Sequence, residues 1–105
     1  MTISSTQLTT ATTPAVVYTS VGSTCCTVIY ICNTTNSAIT VDIHVGGSAV
    51  ATPTDANIIY KTYAIAATDT YIINMERLMF ENGDKLWVTT SAANSATVTI
   101  SYLEV

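Results

Sequence analysis

The chain has 105 residues and a formal net charge of −4, with three basic side chains against seven acidic ones; 10% of its residues are charged and 49% are hydrophobic. That length makes one domain able to bury a core without disulfides or a metal. The three scattered cations, Lys61, Arg77 and Lys85, exclude a phosphate-neutralising surface for DNA or RNA, and no apolar run reaches the ~18 residues that cross a bilayer.

Taken in chain order, residues 1–13 are polar and weakly patterned and read as an N-terminal arm or an edge strand. They lack the basic and apolar stretches of a signal peptide, which predicts synthesis in a host cytoplasm and export only as part of a larger particle. Residues 14–105 read as one β-domain. Strands are predicted at Ala15–Ser20, Thr24–Cys32, Ala38–Val45, Asn57–Ile65, Thr70–Met75, Lys85–Thr90 and Ala96–Val105. Turn signals separate them: Asn33–Ser37, Gly46-Gly47-Ser48, Pro53-Thr54-Asp55, Ala66–Asp69, Glu81-Asn82-Gly83-Asp84 and Ala92-Ala93-Asn94. Met75–Phe80 is given one helical turn at most. Threonine fills about a fifth of the chain; it is β-branched, fits a pleated surface, and faces water without carrying charge. About eight strands with turns every eight to twelve residues predict an all-β fold, a single antiparallel β-sandwich of jelly-roll or Ig-like type.

Reading Thr24–Val45 as a hairpin centred on Thr35 pairs Ile31 with Ile39, Ile29 with Val41, Thr27 with Ile43 and Cys25 with Val45, an apolar face predicted to be core. The opposite face carries Cys26, Val28, Tyr30 and Cys32 against His44, Asp42, Thr40 and Ala38. A sandwich exterior is ordinarily polar, so apolar residues at Val28, Tyr30 and Cys32 predict a second packed surface, either a subunit interface or a part covered by the same chain.

The same register places Cys26, His44 and Asp42 together. Thiol, imidazole and carboxylate are the parts of a nucleophile system, yet this set lacks a Gly-rich turn for oxyanion donors, and coincidence is the simpler reading. Cys26, Cys32 and His44 lack the tight spacing of a structural zinc site. Cys25, Cys26 and Cys32 are expected as free, largely buried thiols, and His44 as an ordinary exposed histidine. Trp87 reads as a core or rim residue, as a partner anchor, or as a sugar-stacking platform. The acids mostly occupy turns and form no calcium loop; Asn33-Thr34-Thr35 matches a glycosylation pattern that carries no meaning without secretion. No cofactor is expected.

Val28–Cys32 followed by Asn33-Thr34-Thr35-Asn36-Ser37 and Ala38–Val41 resembles a strand–turn–strand element in small virion proteins of tailed bacteriophages. Ile58–Lys61, Ile65–Thr70 and Glu81–Val88 are similar to later strands of that group. The resemblance covers roughly the last three-quarters of the chain and rests on structural motifs. It implies a compact β-sandwich on a phage particle, as a capsid decoration (cement) protein or a neck or tail component. It also implies no active site, self-association (a trimer, by analogy) and contact with the major capsid protein or a neighbouring virion protein. The expected interface residues are Val28, Tyr30, Cys32 and Trp87. An adhesion or carbohydrate-binding sandwich using Trp87 is the alternative.

Overall fold

A computed structural model describes residues 2–73 and 78–104 of the chain. These form nine strands: β1 (Thr2–Leu8), β2 (Ala15–Thr19), β3 (Thr24–Asn33), β4 (Ile39–Gly46), β5 (Ile58–Ile65), β6 (Thr70–Ile73), β7 (Leu78–Phe80), β8 (Lys85–Thr90) and β9 (Ala96–Glu104), with one short 3-10 helix at Asp55–Asn57 before β5. The first sheet runs β1-β9-β3-β6, with β7 beside β6 along the same side of β3; the second runs β2-β8-β4-β5. All pairings within the sheets are antiparallel.

The pairings are nested: β1 with β9, β2 with β8, β3 with β6 and β7, β4 with β5. A long two-stranded ribbon folded back on itself in this way wraps into two facing sheets, which is jelly-roll order. The expected all-β sandwich is therefore present, and its connectivity is the jelly-roll member of the two types named. Strand boundaries agree with expectation within a residue or two. The exception is Leu78–Phe80, which is a strand where one helical turn was the most allowed; residues 75–77 of that segment, and with them the predicted end of the Thr70–Met75 strand, lie outside the described residues.

Thr24–Val45 is not a hairpin. β3 belongs to the first sheet and β4 to the second, so the chain crosses the sandwich between them and the pairing of Ile31 with Ile39, and of the pairs beyond it, does not form. The crossing is fixed by Asn33, a wholly buried amide at the end of β3. Its Nδ2 donates to the carbonyls of Ser37 (2.8 Å), Ala66 (3.1 Å) and Ile65 (3.3 Å), and its Oδ1 accepts from the Thr35 backbone N–H (3.0 Å) and hydroxyl (2.8 Å). One side chain thus replaces the turn hydrogen bonds of a hairpin and ties the crossover to the β5–β6 connection.

Isoleucine and valine from both sheets fill the space between them, with Ile29, Ile31, Val98 and Ile100 facing Ile39, Val41, Ile43, Leu86 and Val88. Leu8 of β1 is 1% exposed and belongs to that core, so the edge strand is part of the sandwich. Tyr60, Tyr63 and Tyr71 close the side where β5 and β6 lie across from one another; the Tyr63 and Tyr71 rings stack with centroids 4.0 Å apart.

The inward phase of β3 changes along its length. Thr24 and Cys26 point in, then Ile29 and Ile31 do, because the β3–β9 register shifts between Cys26 and Val28. A bulge adds one residue and flips every side chain beyond it. Cys25 and Thr27 therefore leave the core face predicted for them, and Cys26 joins it.

Candidate functional site: the outer face of the first sheet

Strand alternation sets which side chains the first sheet turns to solvent. Rows across it follow from the register. Ile3, Ser101 and Val28 make one row; Ser5, Thr99, Tyr30 and Ile72 the next; Gln7, Thr97, Cys32 and Thr70 a third. Leu103, Cys25 and Met79 make a fourth at the other end. None of these residues is charged. Ile3 is 70%, Met79 65%, Ile72 49%, Leu103 43% and Tyr30 39% exposed. Hydroxyl side chains fill the gaps, and Ser5 and Thr99 share a hydrogen bond of 2.9 Å across β1 and β9. The result is a broad sheet surface of apolar and hydroxyl groups, whereas exposed sheet faces ordinarily alternate toward charged and strongly polar residues.

Three of the four residues singled out from sequence lie here: Val28, Tyr30 and Cys32 share this face of β3. Ile3, Ile72, Met79 and Leu103 were not anticipated, because only the pairing of distant strands brings them beside β3. Cys25 is buried although it points outward; Leu103 and Met79 flank it in register on either side.

Trp87 is not part of this surface. It lies on β8 in the second sheet, between Val16 and His44 in register, and is 2% exposed. It faces away from the sandwich core and is covered by the chain leaving β4: a methyl group at Gly46 would sit 3.1 Å from its ring and 3.2 Å from Val50. The reading of Trp87 as a partner anchor or sugar platform is corrected by this cover, since the ring has no free face.

Cys26, His44 and Asp42 do not meet. Cys26 points into the core from the first sheet, while Asp42 and His44 point outward from the second. Burial, reinforced by the neighbouring Cys25, pushes the Cys26 thiol up to about 11, against a smaller opposing effect of a backbone hydrogen bond at Val28. That is the opposite of what an attacking thiolate needs. His44 is buried, not exposed as expected, and its Nδ1 has no hydrogen-bond partner among the described residues. Among the described residues no three His, Cys, Asp or Glu side chains gather as metal ligands.

The second sheet's outer face holds a shallow pocket of about 190 Å³ lined by Thr12, Thr40, Asp42, Thr62, Thr89, Thr90 and Ser91. The carboxylate that could orient a ligand there already accepts the Thr62 backbone N–H at 2.6 Å, and that bond holds Thr62 at a φ of 53°. Comparison with known protein families, with curated proteins and with solved structures finds no match to this chain.

Proposed function

We propose that this protein is a non-enzymatic structural component of a tailed-phage virion, a capsid decoration protein that adheres to the shell through the outer face of its first sheet. The observation that carries the reading is the absence of charge, among the described residues, from the outward strand positions of that face, combined with the exposure of Ile3, Tyr30, Ile72, Met79 and Leu103. Such a surface gains from burial against other protein, at about 25 cal/mol per Å² of apolar area, and wastes nothing on stripping charges of water. The jelly-roll order suits the role without proving it, because the same fold serves capsids, lectins and enzymes alike.

Its partners on this reading are further copies of itself and the major capsid protein or a neighbouring virion protein; neck or tail positions demand the same adhesive face. A carbohydrate-binding role has lost its platform with the burial of Trp87. The test is co-sedimentation with assembled phage shells, comparing the native chain with Ile72→Asp and Tyr30→Asp. Binding that falls at least about tenfold in both variants, while folding is kept, supports the reading, since a carboxylate buried in an apolar contact costs more than 1.4 kcal/mol. Binding equal to native in both, or no binding by the native chain to shells or tails, sinks it.

A further inference from the structure

We propose that β1 is the docking edge for a second copy of this chain: two molecules join their first sheets by antiparallel β1–β1 pairing about a twofold axis at Ser5. The inference rests on the adhesive reading above and names one partner and its geometry.

A strand at a sheet edge leaves a row of backbone N–H and C=O groups free to template another strand, and folded proteins guard such edges with short strands, bulges, prolines or charges. Three of this sandwich's four edges are guarded. The far edge of the first sheet changes register along β3, since Ile73 of β6 pairs with Ile29 but Leu78 of β7 pairs with Cys26. In the second sheet, β2 follows Pro14 and its pairing with β8 shifts register between Val16 and Tyr18. β5 carries Lys61, two register shifts against β4, and Thr62 at positive φ with its N–H taken by Asp42.

β1 has none of these devices. Its seven residues, TISSTQL, contain no charge, proline or glycine, and pair with β9 in unbroken register from Thr2↔Tyr102 to Leu8↔Ala96. Among the described residues β9 is its only strand partner.

The edge is also its own complement. Antiparallel pairing about Ser5 sets Ser5 against Ser5, Ser4 against Thr6 and Ile3 against Gln7. Hydroxyl pairs across strands are favourable, and the Ser5–Thr99 bond on the inner side of β1 shows the geometry in use. Ile3, the most exposed apolar side chain of the sheet face at 70%, gains cover from the Gln7 methylenes. With no charge on the strand, a copy meets no repulsion and an oppositely charged foreign strand has nothing to select it. A twofold contact occupies the one open edge of each molecule and closes the assembly. The product is a pair with one continuous sheet, not the trimer that the family resemblance suggests.

The experiment is velocity sedimentation up to millimolar concentration, with oxidative cross-linking of Ser5→Cys and Ile3→Cys. The native chain is expected to sediment as a dimer of 11.1 kDa subunits. Ser5→Cys is expected to give a covalent dimer and Ile3→Cys none, because only position 5 meets itself within disulfide reach. Ser5→Lys is expected to weaken the dimer at least about tenfold with an unchanged circular dichroism spectrum and Tm. A native chain that stays monomeric throughout overturns the proposal. So does a dimer that survives Ser5→Lys and dissolves in Ile72→Asp, which would put the contact on the sheet face. A monomer whose shell binding is lost in Ser5→Lys overturns it too, by assigning the edge to a strand of the shell. Shell binding of the same variants keeps the two readings apart: adhesion kept in a monomeric Ser5→Lys protein leaves the face reading standing by itself, whereas a β1 dimer that binds no shell removes the face reading and leaves the pairing.

Discussion

Asn33 concentrates five hydrogen bonds on one buried amide. Replacing it by Ala leaves three carbonyls and a backbone N–H without that partner, a loss of about 3 kcal/mol or more. Thermal unfolding of Asn33→Ala should show a Tm lower by at least about 10 °C for a domain of this size, and Asn33→Asp, which sets a buried carboxylate oxygen against the three carbonyls, should fall at least as far. Cys26 makes a separate prediction. Its thiol holds its proton up to about pH 11 in the folded chain, against 9.0 for an ordinary cysteine thiol. The unfolded chain therefore releases that proton first, and stability falls as pH rises from about 9 to 11, while below 9 the group contributes no slope. Denaturant midpoints measured across that interval should decline more steeply in the native chain than in Cys26→Ala. Alkylation at pH 8 should label the partly exposed Cys32 well before Cys26.

Elements show what local sequence could and could not reveal. Seven strands announced themselves through β-branched runs between Gly, Pro and Asn signals, and Ile29, Ile31, Ile39, Val41 and Ile43 are core as expected. Their pairing was illegible. A polar turn of five residues reads as a hairpin by local rules, and only the buried environment of Asn33 shows that the chain crosses between sheets there. The phase of β3 failed for a similarly non-local reason, since the bulge before Val28 is a property of the β3–β9 pair. Val28, Tyr30 and Cys32 were nevertheless found by their excess hydrophobicity beyond the bulge, while Ile72, Met79 and Leu103 could not be placed beside them without the topology. Of the readings open for Trp87, the buried one holds, and local sequence could not foresee its cause, that the β4–β5 connection returns over the outward-facing ring. That cover is itself testable. In Gly46→Ala the new methyl meets the indole at 3.1 Å and Val50 at 3.2 Å, and should cost about 1–3 kcal/mol, read as a lowered denaturant midpoint with altered tryptophan fluorescence.

For the molecule as a whole, nested pairing means that β1 and β9, its first and last strands, must meet before the outer ribbon exists. Loop closure over nearly the whole chain precedes its reward, so refolding should take milliseconds to seconds despite the small size. Stopped-flow tryptophan fluorescence measures it, and submillisecond refolding would contradict the order of assembly that the topology implies. Among the described residues charge sits at the loops, on the second sheet's exterior at Asp42, Lys61 and Lys85, and at Glu104 where β9 ends. Solubility depends on that small charge of −4, so light scattering should rise as pH is lowered toward the sequence pI of 4.4.

On the proposed function, a contact face whose described outward positions carry no ionised group answers to its medium in a characteristic way. Ions shield attraction between opposite charges, and those positions have none to shield. Sulfate and phosphate instead strengthen apolar burial. On that reading, a particle dressed with this protein would keep its coat in fresh water and in brine alike, and hold it more firmly as sulfate or phosphate is added.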